Sequence, residues 1–420
     1  MTLPLVLPTL QNWSCHNCGG CCHQHDIEIT PEEKKRIESQ RWDESGELPP
    51  GQKLFERIGR LGSRYRLAQR ADGGCVFLNE QGLCRIHAKF GEPAKPLACR
   101  LYPYVFHPAG KRIVVGYRFS CPSVVANRGK LATPQDRDLR ELERLVVPEG
   151  ADRIPAPEVN AGQRLSWPDF LTTVQALVAV ADDREVPLIR RLLALDAWAR
   201  LLGQARFEKI QGGRVRELMD VLSQNIPHEL PDDIASIPKL SGIGRLQFRQ
   251  LVSQYARRDT FAETKRGWSY RWKLFQAAWR TALGVGAAPS LVPELKPVPF
   301  PLLELPAGRI DPDMDEMATR YLRVKLESLH FCGPAFYDVP LAEGLHSLIL
   351  ATSVAFRIAK WRMRSEGRSQ WIPDDLATGL AITDHQHGFA PVFGKKFARA
   401  RTRQMAELNQ VAPAIVESLS

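Results

Sequence analysis

No run of apolar residues in this chain is long and uninterrupted enough to read as a bilayer span. The best candidate, Leu345 to Ala359, contains His346 and Arg357 and reads instead as a buried core helix. Met1 to Leu10 carry no positive charge and include Pro4 and Pro8, so no secretory leader is visible, and a reducing, cytoplasmic setting is expected. The common catalytic signatures are missing as well. There is no G-x-x-x-x-G-K-[ST] phosphate loop, no G-x-S-x-G elbow and no H-E-x-x-H helix. Ser241-Gly242-Ile243-Gly244 follows Pro238-Lys239-Leu240 rather than a strand and lacks a third glycine, so a dinucleotide loop is not expected there. No residue stands out as a catalytic base or as part of a cofactor-binding loop.

What the chain does have is cysteine. Of its 9 cysteines, Cys15, Cys18, Cys21 and Cys22 crowd one short segment, and Cys75, Cys84, Cys99 and Cys121 follow. Thiolate is the metal-binding form of cysteine, and a C-x-x-C step folds back tightly enough for two sulfurs to reach one zinc ion or one iron–sulfur cluster. Gly19 and Gly20 give that loop its permissive backbone. Disulfides would suit a secreted chain, and four cysteines beside His16, Asn17, His23 and Gln24 do not resemble core packing. Cys332, in Leu329-His330-Phe331-Cys332-Gly333, reads as an ordinary core residue.

How the eight divide stays open at this level. Adjacent Cys21 and Cys22 are only about 3.8 Å apart at Cα and tend to diverge, so they serve different centres or one is spare. Eight thiolates suit two four-sulfur sites. Cys15, Cys18 and Cys21 also form the C-x-x-C-x-x-C run that holds three corners of a [4Fe-4S] cluster, and Cys121-Pro122 offers a remote Cys-Pro to complete it. Soft thiolates accept zinc equally well.

The later cysteines stand in a recognisable order: Gly73-Gly74-Cys75-Val76-Phe77-Leu78, Gly82-Leu83-Cys84-Arg85-Ile86-His87, and Lys95-Pro96-Leu97-Ala98-Cys99-Arg100-Leu101-Tyr102-Pro103. Together with the first four they resemble the CxxCxxCC cysteine-cluster family, the YkgJ-like zinc- or iron-chelating domain, over roughly residues 12 to 125. The resemblance implies a metal-binding module in a bacterial cytoplasmic protein. One branch, the flagellin lysine N-methylases, is similar in placing the module at the N-terminus of a long, mainly helical chain. That branch implies S-adenosylmethionine as methyl donor and a lysine-bearing protein, flagellin or another, as substrate. The chain departs from the family in having Lys95-Pro96 where Arg-Pro is usual, and His87 where tyrosine is frequent. His87 is expected to support the centre from behind the ligands, with Arg100 and Tyr102 facing it. Arg85 and Arg100 either offset thiolate charge or pair with Glu28, Glu80 or Glu92.

At 420 residues, 44% of them hydrophobic, the chain can bury a core without help from metal. A net charge of +10 favours acidic partners, but the clusters Arg357, Lys360, Arg362, Arg364, Arg368 and Lys395, Lys396, Arg399, Arg401, Arg403 read as solvated helix faces. Nucleic acid is therefore not the expected partner, nor is a membrane, and no oligomeric state is implied. A short strand at 26–29 leads into a helix opened by Thr30, Pro31 and Glu33 and running to about Trp42. A hairpin over Tyr65–Leu78 and a strand over Arg112–Phe119 follow. Helices are expected near 135–146, 166–182, 185–207, 212–225, 245–258, 267–283, 312–329, 340–364, 373–381 and 395–418, and Asp384-His385-Gln386-His387-Gly388 reads as a polar turn.

The fold class is α+β. A small mixed cysteine-cluster domain (1–130) precedes a helical domain (131–286), a proline-rich linker or surface belt (287–311) and a C-terminal helical region (312–420). Two functions fit: an enzyme, namely a protein-lysine N-methyltransferase, or a non-catalytic zinc or iron–sulfur module joined to a helical protein-interaction domain.

Overall fold

In the computed structural model, which describes residues 3–42, 46–49, 51–59, 64–258 and 267–420, the chain has the expected α+β composition, with short strands concentrated before residue 165 and long helices after it. Contacts divide it into two compact units. One comprises Ser14–Val105 with Asp259–Trp272, the other Met1–Trp13, Phe106–Arg258 and Lys273–Ser420.

The cysteine-rich unit is organised by local chemistry that the sequence announces. Glu33 N–H donates to Thr30 Oγ1 at 3.2 Å, and Thr30 N–H donates to Glu33 Oε2 at 2.9 Å. This reciprocal cap, with Pro31 in the first turn, starts the Pro31–Glu38 helix. The helix stops short of the expected Trp42, because Arg41 turns the chain with a positive φ of 51°. Trp42 is instead buried, 5.1 Å from the Phe77 ring and 5.7 Å from Phe90, in a core with Ile29, Ile37, Leu67, Val76 and Ile86. The anticipated Tyr65–Leu78 hairpin is formed in part, with a regular strand in its first arm alone. Tyr65–Leu67 is the middle strand of a three-stranded antiparallel sheet between Glu28–Ile29 and Phe55–Arg57. Beyond it the chain turns at Asp72-Gly73-Gly74 through an antiparallel bridge from Gln69 to Cys75, with Arg70 N–H donating to the Gly74 carbonyl at 2.7 Å and Val76 N–H to the Ala68 carbonyl at 3.0 Å.

In the helical unit, Ile113–Tyr117 is the buried centre of a small sheet, parallel to Leu5–Val6 and flanked on its other side by Tyr104–Pro108. The Leu341–Ser365 helix is the core of this unit. By length and composition it is apolar enough to cross a membrane, more so than its sequence suggested, yet 89% of its apolar window is buried. It packs on Pro373–Gln386 so closely that a Cβ on Gly379 would lie 2.2 Å from the Ala355 carbonyl oxygen.

Helices from both expected helical regions share this core. Leu188–Gln204 packs on Leu341–Ser365, and Trp167–Asp182 packs on Pro312–Glu327. Buried Arg191 reinforces the join, donating to Thr319 Oγ1 and Asp315 Oδ2, each at 2.6 Å. The proline-rich stretch lies against the same unit as a belt, with Ala287–Ala288 paired to Val298–Pro299 and the Lys296 carbonyl accepting from Trp361 Nε1 at 2.8 Å. Ser241 accepts from Gly244 N–H at 3.0 Å, so the glycine pair that resembled a cofactor loop caps the Gly242–Tyr255 helix. The last expected helix is two, Lys396–Glu407 and Val411–Leu419, broken where Asn409 adopts a φ of 53°.

Candidate metal centre

The cysteines sit on turns and the ends of short helices, where side chains can converge without occupying a core. Gly19, at φ 67°, turns the chain into the five-residue helix Gly20–Gln24, which carries Cys21 and Cys22. Cys75 N–H donates to the Cys22 carbonyl at 2.8 Å and locks the second cysteine loop onto that helix. Gly74 permits the approach, since a Cβ there would come within 2.9 Å of the His23 ring. Cys84 precedes the Arg85–Phe90 helix and is bridged to Leu78. Cys99 lies on the Leu97–Leu101 helix, whose first N–H donates to Glu33 Oε1 at 2.6 Å.

Five thiols are brought together in this way. Cys21 Sγ and Cys22 Sγ are 4.0 Å apart, and the charges of Cys21, Cys22, Cys75, Cys84 and Cys99 act on one another. The hydrogen bond from Cys22 holds Cys21 down to about 7, while that same bond and then burial push Cys22 far above the usual thiol range. Burial pushes Cys75 up to about 12 and raises Cys99 strongly. Ionising several crowded, half-buried thiols is unfavourable without a cation among them, and a soft metal ion supplies that charge while coordinating sulfur. The donor set thus fits zinc or iron. Among the described residues no three donors already stand at coordination spacing, so the cluster is a gathering of thiols rather than a closed polyhedron.

The other expected site residues are placed differently. Cys15 and Cys18 are exposed on the segment leading to the Gly20–Gln24 helix, and the Cys15 thiol reaches Asn17 Oδ1 at 3.7 Å. Cys121 belongs to the helical unit, buried at the start of the Pro122–Val125 helix. Arg100 pairs with Glu92 at 3.1 Å, the charge-pairing alternative, and Glu28 is taken by Arg64 at 2.6 Å. Tyr102 packs against the His25 ring at 4.8 Å, and His87 is exposed. Cys332 is fully buried in the other unit, as a core thiol should be.

Comparison with known families decides what this gathering is. Residues 14–122 match the family model "CxxCxxCC: Putative zinc- or iron-chelating domain". The match takes in Cys15, Cys18, Cys21, Cys22, Cys75, Cys84, Cys99 and Cys121 and excludes Cys332, and it supports a metal-binding cysteine cluster in the N-terminal part of the chain. No curated protein and no solved structure matches the chain.

A second constellation, in the helical unit, escaped the sequence. His385 and His387 do not lie on a polar turn: His385 is in the last turn of the Pro373–Gln386 helix and His387 caps it, fully buried. Tyr255 Oη and His387 Nδ1 are 2.8 Å apart. Nearby Asp384 Oδ1 pairs with Lys325 Nζ at 2.5 Å, with both side chains out of solvent, and Asp384 Oδ2 accepts from Ser120 N–H at 3.2 Å. Lys325 also lies 2.9 Å from His330 Nδ1, and the His330 ring stacks on His107 at 5.4 Å. Burial, then the charge of Lys325, pushes His107 down to about 4 and His330 and His387 well below the usual imidazole range, so all three are neutral. Spacing could not reveal this network, because its members come from separate strands and helices.

Proposed function

We propose that the protein is a protein-lysine N-methyltransferase, similar to the flagellin lysine N-methylases, in which the cysteine cluster holds iron–sulfur or zinc. The observation that carries this reading is the ordered cysteine motif at the head of a long helical chain, with five of its thiols gathered in one unit. Cys21, Cys22, Cys75, Cys84 and Cys99 would hold the metal, and motif order keeps Cys15, Cys18 and Cys121 in the proposed ligand set. The bound metal would supply a Lewis-acidic or redox-active centre beside the methyl donor. In the transfer, the lone pair of a neutral lysine amine forms the new N–C bond as the S–CH3 bond of S-adenosylmethionine breaks, leaving a thioether, and the amine then releases a proton. The site must therefore deliver the amine deprotonated, against an intrinsic pKa of about 10.4. The proposed setting is the bacterial cytoplasm, with a protein rather than nucleic acid as substrate.

A second reading, a non-catalytic metal module whose helical unit binds another protein, draws support from one observation. The only candidate glycine loop for a donor is a helix cap. Protein isolated without oxygen and incubated with S-adenosylmethionine and flagellin separates the two. Lysine mass increments of one methyl group each are expected, together with a brown iron–sulfur chromophore. A colourless, zinc-loaded preparation that leaves lysines unmodified would favour the module, and one that still methylates would remove iron–sulfur from the proposal.

A further inference from the structure

The helical unit contains a partly open cavity of about 220 Å³ that none of the eight motif cysteines lines. Its walls are apolar, with Ile154, Pro155, Pro157, Trp167 and Leu329 set around one imidazole, that of His107. These walls are held in place by their own packing. Trp167 Nε1 donates to the Ile154 carbonyl at 2.8 Å, and the Trp167 ring meets Phe170 edge-on at 5.7 Å. Gly110 backs the same indole so closely that a Cβ there would lie 2.9 Å from Trp167 Cγ. On Pro157 the backbone of Gly333 does likewise, since its Cβ would fall 2.5 Å from Pro157 Cγ. The cavity is therefore a preformed hollow, as small-molecule sites ordinarily are.

Hydrogen-bonding capacity in the lining is confined to one side chain. Trp167 Nε1 is committed to Ile154, and Cys332 is fully buried with its thiol pushed far above the usual range by burial. His107 remains. Its ring is positioned by stacking on His330, and its Nε2 has no hydrogen-bond partner among the described residues, so a ligand that takes up the ring displaces no bond to that nitrogen. No Asp, Glu, Lys or Arg lines the cavity.

These features define the ligand. Apolar walls without a counter-charge disfavour a charged molecule, which would lose its hydration for nothing. An apolar cavity of about 150 Å³ holds benzene, and drug-sized ligands occupy roughly 300–1,000 Å³, so the volume here suits one aromatic ring with a small substituent. A flat ring packs well against an indole. A hydroxyl on that ring, able both to donate and to accept, matches a neutral imidazole in either tautomer.

We propose that this cavity binds a phenol, its ring against Trp167 and the proline walls and its hydroxyl hydrogen-bonded to the His107 imidazole. The proposal stands independently of the metal and of methyl transfer.

The test is isothermal titration calorimetry of the full-length protein, isolated without oxygen, with p-cresol and with toluene, which lacks the hydroxyl. Saturable binding of p-cresol at one site is expected, about tenfold tighter than toluene, the difference that one net hydrogen bond makes. His107→Phe keeps a ring against His330 and should lower p-cresol to the affinity of toluene while leaving toluene unchanged. Ala335, half-buried in the lining, gives an independent variant. Ala335→Phe should fill the hollow and abolish binding of both ligands with an unchanged circular dichroism spectrum. N-acetyltyrosine amide, titrated in parallel, identifies the source of the ring: binding like that of p-cresol assigns the site to a tyrosine side chain, and its exclusion assigns it to a free phenol. Absence of saturable p-cresol binding, equal affinity for p-cresol and toluene, or undiminished binding by Ala335→Phe overturns the proposal.

Discussion

Lys325 and Asp384 show what a pair of buried charges demands of its surroundings. Their ion pair is tolerable only because Ser120 and His330 supply further hydrogen bonds. Replacing Asp384 by Ala strands an ammonium group in the core and should cost about 3–5 kcal/mol in urea unfolding. The double variant Lys325→Met/Asp384→Leu should lose much less, and equal losses would show that the pair is not coupled. Lys360 presents the same problem in simpler form. Burial, followed by the charge of Arg357, pushes it from 10.5 down to about 7, and it donates to the Glu417 and Ser420 carbonyls. Between those two values the unfolded chain binds more protons than the folded one, so the lysine's penalty is full below about pH 7 and fades as pH rises toward 10.5. Stability of the wild type relative to Lys360→Met should therefore increase across that window. A difference independent of pH would mean that the lysine is equally protonated in both states.

At the level of elements, helix starts were legible because their signals are local. Thr30, Pro31 and Glu33 act within one turn, and Ser241 caps its own helix. Helix ends at Glu38 and Glu407 were harder to read, because the positive φ values of Arg41 and Asn409 arise at residues that do not require them. Helix packing leaves its trace in glycine. Gly379→Ala should destabilise the protein by about 1–3 kcal/mol or more, since the obstructing atom is the Ala355 carbonyl on a fixed helix rather than a flexible side chain. Thermal unfolding checks this, and a midpoint shift within error would show that the two helices can part.

Over the whole molecule, two units with separate means of stabilisation should respond differently to metal removal. The helical unit has a large apolar core centred on Leu341–Ser365, whereas the cysteine-rich unit has a small one that metal binding would reinforce. Chelation should lower only one calorimetric transition, and Cys75→Ser should reproduce that effect while Cys332→Ser keeps full metal content. Equal metal loss in both variants would contradict the partition of the cysteines.

Sequence by itself determined the cysteine module, the α+β class and most helix positions, because ligand spacing, caps and apolar periodicity are short-range properties of the chain. Only the tertiary structure decided that Cys21, Cys22, Cys75, Cys84 and Cys99 gather while Cys121 belongs to the other unit. It alone placed His387 in the core beside Tyr255, and set Trp279 facing outward while Ala277 faces in. Those outcomes depend on which surfaces remain after distant segments have packed, and the order of residues along the chain does not carry that information.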